Sequence, residues 1–309
     1  TATTFDENNS TRNKSGNVAS AKRWVVDNRE SLARALAQHG ALLFRDFGIE
    51  TDLEFDDFIC AFELPNFTYA ESLSNAVRRN RTERVFTANE APPSVSIFLH
   101  HEMAQTPVYP SKLFFFCEHA QMTGGATPLC RSDVLLAELT KVRPGFVAAC
   151  EQLGVRYSNT MPLEDDLASG QGRSWRSTLS VADKAAAEEK LTGLGYSWQW
   201  QDDQSLRVTT PCLPAVRTLD DGREVFFNQL IAAFRGWKDA RNSAEKSICF
   251  GDGSVIDPAD MAVAIALADE LSFDTPWQAG DVALVDNYLV MHGRRPFAGE
   301  RRILASLVG

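Results

Sequence analysis

Two short segments far apart in the chain carry side chains that serve one purpose only if the fold brings them together. The first is Phe98-Leu99-His100-His101-Glu102, and the second is Asp286-Asn287-Tyr288-Leu289-Val290-Met291-His292. Two imidazoles and one carboxylate are the ligand set of a non-haem Fe(II) that keeps adjacent coordination positions open. Arginines follow the second histidine, and a guanidinium suits a dicarboxylate because it offers two parallel hydrogen bonds to a carboxyl group.

The His-x-Glu spacing is weak by itself. With 5 His and 41 acidic residues among 309, roughly one such pair arises by chance, so context has to decide. His39, His101, His119 and His292 carry Ala41, Met103, Gln121 and Arg294 at the same offset, which leaves His100 as the histidine with a carboxylate two residues on. The preceding Ser96-Ile97-Phe98-Leu99 reads as a strand. Side chains two apart on a strand share a face, so His100 and Glu102 can converge on one ion while His101 turns away to pack or to support the site. Scattered surface histidines stand as the competing reading of the residues alone.

Charge and composition narrow the function. There are 31 basic and 41 acidic residues, for a net charge of −10. With no long basic run, this argues against a nucleic-acid partner and a polybasic membrane contact. No apolar stretch approaches the roughly 20 residues that a membrane span needs. The first 20 residues are polar and show no signal-peptide pattern, so residues 1–20 are expected to be disordered and the protein cytoplasmic. Cys60, Cys117, Cys130, Cys150, Cys212 and Cys249 are dispersed, with no C-x-x-C. They read as reduced thiols and speak against a zinc cluster. A small molecule is the expected partner, and the sequence sets no oligomeric state.

Length allows two small domains or one elaborated one. Periodicity predicts helices over Glu30 to His39, Asp52 to Phe62, Asp133 to Leu139, Pro144 to Leu153, Asp183 to Leu194 and Asp260 to Leu271. Strands are predicted over Ala41 to Arg45, Lys112 to Cys117, Leu206 to Thr210, Ala215 to Leu219, Val225 to Leu230, Val282 to Met291 and Arg302 to Val308. Residues 64–84 read as loop. The segment near 160–200 begins Gly- and Ser-rich, with adjacent Glu164, Asp165 and Asp166, and reads as an insertion able to act as a lid. The pattern is mainly β with flanking helices, a sandwich or jelly roll filling one domain over 21–309.

Six segments also carry a family resemblance: Val85-Phe86-Thr87-Ala88-Asn89-Glu90, His100-His101-Glu102-Met103-Ala104-Gln105, Gly124-Gly125-Ala126-Thr127, Phe226-Phe227-Asn228, Pro276-Trp277-Gln278-Ala279-Gly280-Asp281-Val282 and His292-Gly293-Arg294-Arg295-Pro296-Phe297. In order and spacing the chain resembles the TauD/TfdA superfamily of Fe(II)/2-oxoglutarate-dependent dioxygenases, most of all its clavaminate-synthase-like and SyrP-like members. The resemblance runs from about Gly40 to Val308. It implies a double-stranded β-helix, with His100, Glu102 and His292 binding Fe(II) as catalytic ligands and with 2-oxoglutarate and O2 as co-substrates. It further implies that Arg302 and Thr127 hold the far carboxylate of 2-oxoglutarate. Periodicity alone does not choose between Arg301 and Arg302, because both alternating rows of the last strand become apolar. Related iron halogenases replace the metal carboxylate with a small residue. Glu102 therefore implies oxygen insertion or hydrogen abstraction.

The resemblance also frames the substrate. A basic residue grips the sulfonate in the taurine-oxidising branch, and Ser306 takes that place here, which disfavours a sulfonate. Asn89, Glu90 and Asn228 fall in segments shared with the amino-acid-modifying branch, with Glu90 suited to an ammonium group. Arg173 and Arg176, in the insertion, suit a substrate carboxylate. The expectation is a small amino acid or amino-acid derivative, oxidised with release of succinate and CO2. The alternatives are a carrier-protein-bound aminoacyl group and a jelly roll that binds a small ligand without turnover.

Overall fold

Ala41-Leu42-Leu43-Phe44 is apolar throughout and buried throughout, so both faces of this strand need cover. The computed structural model, which describes residues 3–5, 17–68, 73, 78–88, 91–166, 172–236 and 247–309 (backbone only at 3–5, 121 and 122), shows how that cover is built. The N-terminal half runs β1 (Thr3–Phe5), α1 (Val18–His39), β2 (Ala41–Phe44), α2 (Asp52–Cys60), β3 (Phe86–Thr87), β4 (Ile97–His100), β5 (Lys112–Gly124) and β6 (Thr127–Arg131). The middle runs α3 (Ser132–Val142), α4 (Pro144–Leu153), β7 (Val155–Met161), α5 (Trp175–Leu179), α6 (Lys184–Gly193), β8 (Ser197–Trp200), β9 (Leu206–Thr209), β10 (Arg217–Thr218), β11 (Glu224–Val225) and α7 (Leu230–Gly236). The chain closes with β12 (Ile248–Phe250), α8 (Pro258–Leu271), β13 (Phe273–Thr275), β14 (Val282–Asp286), β15 (Val290–Arg294) and β16 (Phe297–Val308).

Two sheets make the sandwich. One has six strands in the order β1-β2-β14-β5-β16-β3, and the other four in the order β13-β6-β15-β4. A further four-stranded sheet, β12-β7-β9-β8, and the β10-β11 hairpin stand beside them. Alternation sorts the large sheet. Leu42, Phe44, Phe114, Phe116, Val282, Leu284, Leu304 and Val308 pack with Leu32, Leu36, Phe55 and Phe58 of α1 and α2. The alternate residues Ala41, Leu113, Val285, Ala305 and Leu307 pack with Leu129, Met103 and Phe86 between the sheets. Phe44, Phe55, Phe58, Phe114 and Phe116 are fully buried, and each such ring stabilises the fold by roughly 1.5–3 kcal/mol.

Local signals set the edges of these elements. The side chain of Asn17 caps α1 by accepting from the Ser20 N–H, and Gly40 ends it at φ 80°. A Cβ on Gly40 would sit 2.4 Å from Val290 Cγ2, so the turn needs glycine for space as well as for φ. Thr51 and Glu54 form a capping box that starts α2.

Some expected elements differ. The first helix begins at Val18, and Thr3–Phe5 pairs in parallel with β2, although residues 1–20 were expected to be without structure. The rest of that segment lies outside the described residues. The single strand expected over Val282 to Met291 is two, because Asp286 turns the chain by accepting from the N–H groups of Tyr288 and Leu289. That turn sends β14 to the large sheet and β15 to the small one. The strand expected over Val225 to Leu230 stops early. Asn228 Oδ1 accepts from the Leu230 N–H, and α7 begins there. The described residues of the segment near 160–200 include elements built into the fold: β7 and β8 flank β9, and Trp175 is fully buried, edge-on to Trp200 at 5.1 Å.

Candidate active site

Strand register makes the site. His100 of β4 and His292 of β15 are direct cross-strand partners, which places their rings 4.3 Å apart between centroids. β4 ends at His100 and the chain turns. Glu102 therefore reaches its neighbours from a turn and not from the strand face expected of it. Its Oε2 lies 3.9 Å from His100 Nε2 and 3.6 Å from His292 Nε2. The ligand atoms of all three residues lie within 4.8 Å of one another.

The turn is held from beneath by Asn287. The Glu102 N–H donates to Asn287 Oδ1 at 2.7 Å, and Asn287 Nδ2 donates to the carbonyls of Glu102 at 3.0 Å and Pro110 at 2.8 Å. Asn287 is completely buried, so these bonds do not compete with water. Met103 takes φ 60° to complete the reversal. His101 points away from the cluster. Its Nδ1 meets the Asn287 carbonyl oxygen and its ring lies 4.8 Å from that of Phe227, which agrees with a supporting role.

The donor set fits a metal cation. His100 Nδ1 lies 2.8 Å from the Phe98 carbonyl oxygen, which places the proton on Nδ1 and leaves the Nε2 lone pair for a metal. Burial, helped by His292 nearby, pushes the His100 pKa down to about 4, so its imidazole is neutral at neutral pH. Burial drives the Glu102 pKa up, but the Arg78 guanidinium and the two imidazoles outweigh it and hold the carboxyl well below its usual range. A neutral His100 imidazole and an ionised Glu102 carboxylate are protonation states that metal ligation needs.

The neighbouring interior belongs to Thr127, Trp277 and Arg301. Trp277 Nε1 donates to Thr127 Oγ1 at 2.9 Å, and Trp277 packs with Cys117 and Ile303. Along β16 the residues Ile303, Ala305 and Leu307 face inward, and Arg301 continues that row. Its Nε donates to the Gly125 carbonyl at 2.8 Å. Burial and the nearby Arg294 push its pKa down to about 10. Among the described residues no carboxylate pairs with it. Arg302 is on the other row: its side chain is 51% exposed and bridges Glu118 at 3.2 Å and Glu300 at 3.3 Å. Arg302, the arginine expected at the co-substrate, thus lies on the outward row, and the inward arginine is Arg301. The same one-residue shift moves Ser306 out of the interior, to the helix-facing row, where it is fully buried. Ala305 holds the inward place.

The remaining candidates are used elsewhere. Arg173 is buried and donates to the Ser177 hydroxyl at 3.1 Å and to its carbonyl. Arg176 donates to the Ala182 carbonyl and stacks on Trp175 at 4.3 Å. Asn228 donates to the Ala215 carbonyl and caps α7. These contacts engage all three in local structure. Asn89 and Glu90 lie outside the described residues. Arg78 and Asn287 were given no role in the site from sequence. Arg78 comes from a segment read as loop, and nothing in its local pattern marks it. Asn287 stands in a quoted motif, but only the turn shows its task.

A family model for the taurine catabolism dioxygenase TauD/TfdA family matches residues 12–307. The chain belongs to that family. A clavaminate synthase-like protein of Arabidopsis thaliana is 40% identical over 285 residues, covering 92% of this chain and 86% of the relative. The dapdiamide synthesis protein DdaC of Enterobacter agglomerans is 29% identical over 290 residues, covering 88% and 83%. PvcB of Pseudomonas aeruginosa shares the fold, with a TM-score of 0.52 at 14% identity over 91% of this chain and 79% of that one. As a TauD/TfdA protein the chain is an Fe(II)/2-oxoglutarate-dependent dioxygenase with a jelly-roll core, and its cofactors are Fe(II), 2-oxoglutarate and O2. Among the described residues no helix is long and apolar enough to cross a membrane.

Proposed function

We propose that this dioxygenase oxidises a small amino acid or amino-acid derivative, with His100, Glu102 and His292 as the iron ligands and with Arg301 and Thr127 holding the far carboxylate of 2-oxoglutarate. The observation that carries the co-substrate assignment is Arg301, an inward cation bonded to a backbone carbonyl and free of any acidic partner among the described residues. A partly buried charge of this kind is costly without a counter-ion, and a dicarboxylate supplies one.

When bound, Fe(II) with 2-oxoglutarate and O2 supplies an oxidant able to take hydrogen from a carbon centre, with succinate and CO2 released. The protein's share is placement. His100, Glu102 and His292 would hold the ion through three ligand atoms and would leave positions on it for co-substrate and O2. Trp277 donates to Thr127 Oγ1, so the Thr127 hydroxyl proton is directed elsewhere and suits a carboxylate oxygen. Phe115, whose ring centroid lies 5.2 Å from that of His292, presents an apolar wall beside the metal ligands and keeps water from that side.

The substrate class is supported by the relative named for dapdiamide synthesis and by the inward face of β16, where Ile303, Ala305 and Leu307 offer no cation for a sulfonate. Succinate release with free amino acids, carrier-bound aminoacyl groups and taurine tests the assignment. Stimulation by an amino acid, free or carrier-bound, supports it. Stimulation by taurine alone contradicts it.

A further inference from the structure

Arg78 is a buried cation that contacts one of the three clustered side chains, Glu102. Its Nη2 lies 2.9 Å from Glu102 Oε1, and the two side chains are only 8% and 6% exposed. We propose that Arg78 is a positioning residue that fixes Glu102 as a one-oxygen ligand; this rests on the metal-site assignment above.

The two carboxylate oxygens are divided. Oε1 faces Arg78, while Oε2 faces His292 Nε2 at 3.6 Å and His100 Nε2 at 3.9 Å. An unrestrained carboxylate can chelate a cation through both oxygens and occupy two coordination positions. A 2-oxo acid that chelates takes two of the three open positions, and O2 needs the third. A two-oxygen glutamate would close one of them. Arg78 occupies the oxygen that would do so.

The restraint on the side chain is separate from the restraint on the backbone. Asn287 fixes the Glu102 peptide groups through its own amide, but it does not touch the carboxylate. Arg78 is itself held, with its guanidinium carbon 5.2 Å from the Phe86 ring centroid. Phe86 is in β3 and registers with Ala305 of β16. The guanidinium therefore reaches Glu102 from beside a strand of the large sheet, while Glu102 follows a strand of the small one.

Anaerobic titration of the metal-free protein with Co(II), followed by visible absorption, reads both affinity and coordination. Loss of a group that orients a metal ligand typically costs 10- to 100-fold in metal affinity. Arg78→Met is expected to bind Co(II) 10- to 100-fold more weakly with a changed spectrum, and its Co(II) form is expected to bind 2-oxoglutarate less well. Arg78→Lys, which keeps a cation but not the planar fork, is expected to fall between Arg78→Met and the parent protein. Parent affinity and spectrum in Arg78→Met would overturn the proposal. So would an Arg78→Lys no better than Arg78→Met, because the effect would then be one of packing. If Arg78→Met does not fold, Arg78→Lys decides: a weaker, shifted Co(II) complex supports the proposal, and one identical to the parent overturns it. His292→Ala run in parallel separates the two claims. Full Co(II) binding by His292→Ala defeats the metal site itself, whereas loss there with no effect at Arg78 defeats only this inference.

Discussion

Replacing Arg301 by leucine should cripple the use of 2-oxoglutarate, and the same change at Arg302 should not. Arg301 faces inward, donates to the Gly125 carbonyl at 2.8 Å and has no acidic partner among the described residues. Removing one partner of a hydrogen-bonded, desolvated charge pair costs about 2–5 kcal/mol. At about 1.4 kcal/mol per tenfold, that is roughly 30-fold to several-thousand-fold in 2-oxoglutarate affinity. Arg302 is 51% exposed and tied to Glu118 and Glu300. A surface pair of that kind is worth about 0–1 kcal/mol, so Arg302→Leu should change the constant by no more than about fivefold. The assay is succinate release against 2-oxoglutarate concentration, with isothermal titration of the Co(II) protein as the binding check and a thermal melt to confirm folding. An unchanged constant in Arg301→Leu together with a large loss in Arg302→Leu would refute the assignment of faces.

Trp277→Phe removes the donor to Thr127 Oγ1. A neutral hydrogen bond is worth about 0.5–1.5 kcal/mol, so 2-oxoglutarate should bind roughly 2- to 10-fold more weakly, and calorimetry showing no change would contradict the orienting role. Asn287→Ala leaves the buried N–H and C=O of Glu102 and the C=O of Pro110 without partners. It should cost on the order of 3 kcal/mol in urea unfolding, and a loss under about 1 kcal/mol would show that the turn has other support. Burial pushes His100 to about 4 and His101 to about 3, below the ordinary value of about 6.5. The unfolded chain takes up these protons first as pH falls, so the metal-free protein should lose stability from about pH 6.5 down toward pH 3 and be insensitive to these two groups above that range. Urea midpoints that rise on acidification through this window would contradict the buried neutral state.

The sandwich was legible because its central strands are short, unbroken apolar runs. The rows Leu42/Phe44 and Phe114/Phe116 announce a covered face in the sequence, and the structure puts α1 and α2 on it. The metal cluster was legible because His-x-Glu ends a strand and the second histidine stands in a strand of its own. Glu102 reaches the site through a turn, a route that strand parity does not describe. The choice between Arg301 and Arg302 was not legible. Both alternating rows of β16 become apolar beyond residue 302 apart from Ser306, and only packing against Cys117 and Trp277 shows which row is inside. Arg78 and Asn287 act through contacts over 24 and 185 residues, and no local periodicity encodes such distances. Arg173, Arg176 and Asn228 carry the right chemistry for a substrate, but each has a backbone carbonyl nearby that takes it first.

The metal centre is tested most directly by anaerobic Fe(II) titration of the parent protein, His292→Ala and His101→Ala. His292 faces Glu102 Oε2 at 3.6 Å, whereas His101 turns to the Asn287 carbonyl and Phe227. The parent protein and His101→Ala should each bind one Fe(II) per chain, and His292→Ala should bind none tightly. Retention of iron by His292→Ala, or its loss from a folded His101→Ala with His292 intact, would contradict the assignment of His100, Glu102 and His292 as the ligands.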